Sequence, residues 1–141
     1  MANIVPDSFK EELFEAVHNF STPGGNVFRL ALYSTVTAFT STGTTAYTVT
    51  NEVSGTGYSA GGTTLSNLGV AVGQNISYVD FADATFSTAT ITASCALIYN
   101  TTQSSKAVVV LDFGGSKTST NGDFTIQFPA ANSTSAILRI S

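Results

Sequence analysis

The chain has 141 residues, a formal net charge of -4 and only 10% charged residues, against a usual ~25%. That length suits a single domain able to bury a core without disulfides. The five bases, Lys10, Arg29, Lys106, Lys117 and Arg139, stand apart, so nucleic acid is not an expected partner. No run approaches the ~18 apolar residues of a membrane span, so no membrane is expected either. Ser and Thr make up more than a quarter of the residues, and β-branched threonine fits a pleated surface with its hydroxyl in water. A surface poor in charge is easily desolvated against another protein.

The segment from Met1 to Asp7 has neither the basic start nor the apolar core of a signal peptide, so a protein made and kept in a cytoplasm, or leaving the cell by lysis, is expected. Ser8 with Glu11 matches a capping box, and Phe9, Leu13, Ala16, Val17 and Phe20 recur at helical spacing. A helix over about 8–20 is predicted, ending at Ser21-Thr22-Pro23-Gly24-Gly25. The β-region spans about 26–141 and opens with a strand at Val27–Tyr33. Thr40–Thr45 reads as loop, and Tyr47–Val53 fits a short helix or an edge strand. Thr63–Val72 and Asn75–Phe81 are predicted strands broken at Gly73. Phe86–Tyr99 follows, with Ile91, Ala93, Cys95, Leu97 and Tyr99 on one face. Lys106–Phe113 is apolar on both faces and predicts a central strand. Gly114-Gly115 and Asn121-Gly122 are turn signals, Phe124–Phe128 alternates, and Ile137–Ile140 is a last strand. Seven or eight short strands indicate a mainly β, single-domain antiparallel sandwich or barrel with one N-terminal α-helix.

Reactive side chains are few. One histidine and one cysteine cannot supply a zinc site within one chain, and no cofactor is expected. His18 reads as a helix-surface or capping residue, and Cys95 as a buried small hydrophobe. Asp80 and Asp83 have the proximity of paired carboxylates used on glycosides, but their spacing at a strand end suits Asx-turns better. Asp112 and Asp123 are expected to be solvated loop residues. The expected protein is not an enzyme.

The densest local signal is Asn51-Glu52-Val53-Ser54-Gly55-Thr56-Gly57-Tyr58-Ser59-Ala60-Gly61-Gly62. Its glycines mark a loop of demanding shape, yet it lacks the lysine and flanking strand and helix of a phosphate loop. Glu52 is expected to accept backbone N–H bonds that hold the loop, a ligand contact being the lesser reading. Tyr47 and Tyr58, on either side, serve equally well as core caps or as aromatic interface anchors.

Taken together, Ser8–Leu13 running into His18-Asn19-Phe20, then Phe28–Tyr33, Thr45–Tyr47 and Asn51–Tyr58 carry a resemblance. Ala96–Asn100 and Val110–Gly114 continue it. The chain resembles a family of small virion-associated proteins of tailed bacteriophages, over nearly its whole length and in order. The resemblance implies a copy-rich, non-enzymatic part of the particle made in the host bacterial cytoplasm. The leading expectation is a capsid decoration, or cement, protein that binds the phage major capsid protein from outside and associates with itself. Tyr47, Glu52, Tyr58, Phe9, Leu13 and Val17 are the candidate contact residues. The alternatives are a tail, neck or fibre component, or a receptor- or glycan-binding module using Tyr47, Tyr58 and the glycine loop.

Overall fold

Strand β1 (Phe28–Tyr33) is apolar apart from Arg29 because both faces of its sheet are covered. The computed structural model describes residues 3–141; Met1 and Ala2, the first two residues of the segment read for a signal peptide, lie outside them. Strands β2 (Thr63–Thr64), β3 (Asn67–Gly73), β4 (Ile76–Phe81), β5 (Ala84–Asn100), β6 (Lys106–Ile126) and β7 (Leu138–Ile140) complete the β structure. They form two antiparallel sheets, one of order β2-β1-β5-β6 and one of order β3-β4-β7. This is the mainly β, sandwich-like architecture that the strand pattern predicts.

Alternation divides the apolar residues of the larger sheet. Phe28, Leu30, Leu32, Ala96 and Ile98 join a core shared with Val79 and Phe81 of the smaller sheet and with Phe9 of the helix. Stacked rings of Phe20 and Phe28, 4.6 Å apart, sit in this core. Ala31, Tyr33, Cys95, Leu97 and Tyr99 face the other way, under Phe39, Val36, Tyr47 and Ile4. The single face predicted for Ile91, Ala93, Cys95, Leu97 and Tyr99 is therefore broken: Ile91 and Ala93 lie in the first core, and the register shift between Ala93 and Cys95 turns the rest of β5 over.

The helix departs from its predicted length. Helix α1 covers Asp7–Phe14 only, and Pro6 occupies its N-cap without a side-chain hydrogen bond. The predicted Ser8–Glu11 capping box does not form; Ser8 Oγ donates instead to the Thr44 carbonyl. Ala16 ends the helix in the left-handed region, at φ 58°. Its N–H bonds Leu13 O and the Val17 N–H bonds Glu12 O, the paired hydrogen bonds of a Schellman turn. Glycine or asparagine ordinarily signals that turn, and neither is present, so apolar spacing alone carries the reading too far.

Other boundaries also move. Tyr47–Val53 is neither helix nor strand but loop, tied by single bridges of Ala46 to Lys106 and Glu52 to Tyr33. Gly73 is the last residue of β3, and the turn is Gln74-Asn75, both at positive φ, a two-residue hairpin turn. Gly114-Gly115 and Asn121-Gly122 do not turn the chain. They lie inside β6 near register shifts against β5, where bulges absorb extra residues and bend the ribbon. Phe124–Phe128 is therefore no separate strand; its first part continues β6. Lys106–Phe113, predicted as central, belongs to the terminal strand of its sheet. Its apolar character follows from burial of both faces, Val108, Val109 and Leu111 in the first core and Ala107 and Val110 in the second, while Ile4 pairs with Val110 along the open side and Thr45 accepts the Ala107 N–H. Asp112 and Asp123 also lie on β6 rather than in loops.

Candidate functional site

The segment 46–62 crosses the edge of β1 and the start of β5. Asn51 adopts φ 63° and turns the chain, so that Val53 N–H reaches Leu32 O at 2.9 Å. Further on, Thr90 N–H bonds Thr56 O at 2.9 Å. A Cβ at Gly57 would stand 2.7 Å from Ala89 Cα, and one at Gly62 would run into the Leu30 carbonyl. These glycines are needed because the loop lies directly on the strand backbones.

Glu52 organises the loop from beneath. Its Oε1 accepts the Tyr58 hydroxyl at 2.6 Å and the Gly61 N–H at 2.6 Å. Its Oε2 accepts the Tyr47 hydroxyl at 2.7 Å. The Tyr58 oxygen in turn accepts the Leu32 N–H at 3.0 Å, linking the carboxylate to β1. On the far side, Tyr99 Oη donates to Gly61 O at 2.6 Å, and Arg29 Nη2 to Gly62 O at 2.6 Å. The Tyr47 ring stacks on Tyr99 at 4.8 Å, and Tyr58 lies 5.2 Å from Phe86.

Burial, reinforced by the hydrogen bond to Glu52, pushes the Tyr47 phenol up to about 12. Tyr58 is raised further by the same two causes. Tyr33 is also raised, chiefly by burial and then by the Glu52 charge. These phenols remain donors at neutral pH. The backbone-holding role expected for Glu52 is realised at Gly61, and both tyrosines cap its carboxylate.

The three apolar candidates do not join this group. Phe9 is 2% exposed and belongs to the main core. Leu13 is half-buried and packs against that core. With Phe9 it lines an apolar groove of about 440 Å³ toward Val70, Val79 and Leu138. Val17 lies past the helix end, half-buried.

Sequence reasoning missed a second polar cluster. His18 is buried rather than on a helix surface. His18 Nε2 lies 2.7 Å from Glu12 Oε2, while Asn100 Nδ2 lies 3.0 Å from His18 Nδ1. Asn100 Oδ1 already accepts the N–H groups of Thr102 and Gln103, so its amide nitrogen faces the ring and Nδ1 must be the acceptor. Lys106 Nζ donates to Glu12 Oε1 at 2.9 Å, and its pKa is raised by that carboxylate. The cluster ties α1 to β5 and β6. Its residues are 82 to 94 positions apart where they cross between elements, and no local spacing announces them.

The remaining candidates are structural. The Cys95 thiol is buried, donates to Thr35 O at 3.4 Å and is pushed up to about 12 by burial and then by Asp112. Asp83 Oδ1 accepts the Phe128 N–H instead of closing an Asx-turn, and Asp80 sits on β4 opposite Gly69. Among the described residues no cluster of His, Cys, Asp and Glu is arranged to hold a metal ion, and no helix is long and apolar enough to cross a membrane. Comparison with protein-family models, with curated proteins and with solved structures finds no match to this chain.

Proposed function

We propose that the chain is a non-enzymatic structural protein of a tailed-phage particle, acting as a decoration protein that binds the outer capsid and stabilises the shell. The observation that carries the reading is the glycine loop held from below by Glu52. Ser54, Thr56, Ser59 and Ala60 are exposed, uncharged and small, while Glu52, Tyr58 and Arg29 pin the backbone beneath them. A loop held in one shape before binding loses little conformational entropy on contact. Carrying no charge, this surface costs far less to desolvate against a protein than an ionic one. The resemblance of Asn51–Tyr58 and its flanking segments to virion proteins points the same way.

Purified protein added to bare capsids tests the proposal. Saturable binding, with immunogold label over the heads of intact particles, is the expected result. Failure to bind capsids together with label confined to tails overturns it. Quantitative mass spectrometry distinguishes hundreds of capsid copies from the dozen or fewer of a neck or fibre part. The glycan-module reading has less support, because the Tyr47 and Tyr58 hydroxyls are engaged by Glu52 and their rings pack on Tyr99 and Phe86.

A further inference from the structure

The edges of the two sheets are treated unequally. Strand β2 has two residues and β7 three, with Arg139 in the latter. Along β6, Ile4 and Ala46 bridge the open side, and Lys117 lies farther along. Short strands, charges and covering segments are the usual protections of a sheet edge. Strand β3, sequence NLGVAVG, runs for seven residues without a charge. Its one irregularity is the register shift between Asn67 and Gly69. Beyond that point Val70 is 54% exposed and Val72 72% exposed.

Register decides which backbone groups of β3 are free. The two-residue turn at Gln74-Asn75 makes Gly73 and Ile76 the closing hydrogen-bonded pair. Alternation along an antiparallel ladder then turns Ala71 toward β4, while the N–H and C=O of Val70 and Val72 point outward. Among the described residues nothing pairs with that side of β3.

The geometry points to pairing of β3 with β3 of a second copy of this chain, antiparallel, about a two-fold axis passing beside Ala71. Val70 would then lie opposite Val72 of the partner subunit, and each valine would exchange both its N–H and its C=O. A two-fold pairing of this kind is self-complementary, and no like charges meet on the strand. It joins two three-stranded sheets into one continuous sheet and covers the exposed valines. A single strand pair is at the small end of specific interfaces, so a reversible dimer with a Kd of about 10–100 μM is expected. The inference goes beyond the capsid reading, since the dimer forms in free protein.

Sedimentation velocity over a concentration series tests it. Wild-type protein should shift from monomer to dimer, and Val72→Pro should remain monomeric. Proline removes an outward N–H that β4 does not use, so the hairpin tolerates it while strand addition does not. Val72→Lys, which places like charges across the axis, gives the same readout should the proline variant misfold. Ala71→Cys adds a positive test: residues facing across an axis in a non-hydrogen-bonded pair have Cα atoms about 4.5 Å apart, within disulfide reach. With Cys95 buried, mild oxidation should yield a covalent dimer through position 71. Wild-type protein that stays monomeric to about 1 mM, or a dimer that survives Val72→Lys, overturns the inference. Loss of capsid binding with the dimer intact would count against the decoration role alone.

Discussion

The Tyr58 hydroxyl lies 2.6 Å from Glu52 Oε1 and accepts the Leu32 N–H at 3.0 Å, so a single phenol joins the loop carboxylate to the sheet. Removing that oxygen leaves a strand N–H and a carboxylate oxygen short of a partner. Tyr58→Phe keeps the ring against Phe86 and should cost about 1–3 kcal/mol, lowering Tm by several degrees in thermal denaturation. An unchanged Tm would mean that the hydroxyl is replaced by water at no cost.

Glu52→Gln tests the charge on the other side of the same bond. The amide keeps the shape but offers one acceptor oxygen in place of two, so either Tyr47 or the Tyr58–Gly61 pair faces an NH₂ group. Destabilisation by about 1–2 kcal/mol is expected. Greater protease cleavage within 51–62 should accompany it, measured by limited digestion and mass spectrometry.

Raised phenol pKa values set a pH window. Tyr47 moves from 10.0 to about 12 in the folded state, which means that the fold holds its proton more tightly than the unfolded chain does. Its contribution is complete below pH ~10 and is lost as pH rises toward ~12. Tyr58 acts in the same sense. Chemical denaturation between pH 8 and 12 should therefore show a decline beginning near 10, and Tyr47→Phe should make it shallower while Tyr58 and Tyr33 keep the rest. A stability that stays level through pH 11 contradicts the Glu52 clamp.

The end of α1 offers a gain. Ala16 at φ 58° occupies a conformation that costs an L-residue about 1–2 kcal/mol, whereas glycine adopts it freely. Ala16→Gly, at an exposed position, should raise stability by about 1 kcal/mol, read as a higher urea midpoint at constant m-value. Gly62→Ala should do the opposite, and severely, because its Cβ meets the Leu30 carbonyl.

Within the buried knot, His18→Ala should cost about 2–4 kcal/mol. It opens a cavity beside the Phe9 ring, 4.9 Å away, and leaves Glu12 Oε2 and one Asn100 N–H unpaired. Lys106→Met takes the cation from Glu12, whose side chain is only 9% exposed, but acts from the half-exposed end of the same chain of contacts, so it should lower Tm by less than His18→Ala does. Equal effects from the two variants would place the strength of the knot in its charge rather than its burial.

Residue type and spacing determine the β class, the existence of the helix, most strand positions, the inert Cys95 and the holding role of Glu52. Each follows from a local rule: β-like residues for the strand at Phe86–Tyr99, though not its single face, which the shift between Ala93 and Cys95 divides, apolar spacing across Phe9 and Leu13, and glycine where backbones touch. What failed locally was decided by partners distant along the chain. Ala16 ends the helix without the usual residue, and Gly114-Gly115 bulges instead of turning because β5 continues to pair across it. His18 is internal because Asn100 and Lys106 arrive from other strands to meet it and Glu12. Tyr47 and Tyr58 were equally good core caps and interface anchors in one dimension, and only the folded chain brings both hydroxyls to one carboxylate. The free edge of β3 is likewise a property of sheet order. Local sequence sets which conformations are cheap, whereas the pairing of remote backbone and polar groups decides which of them is used.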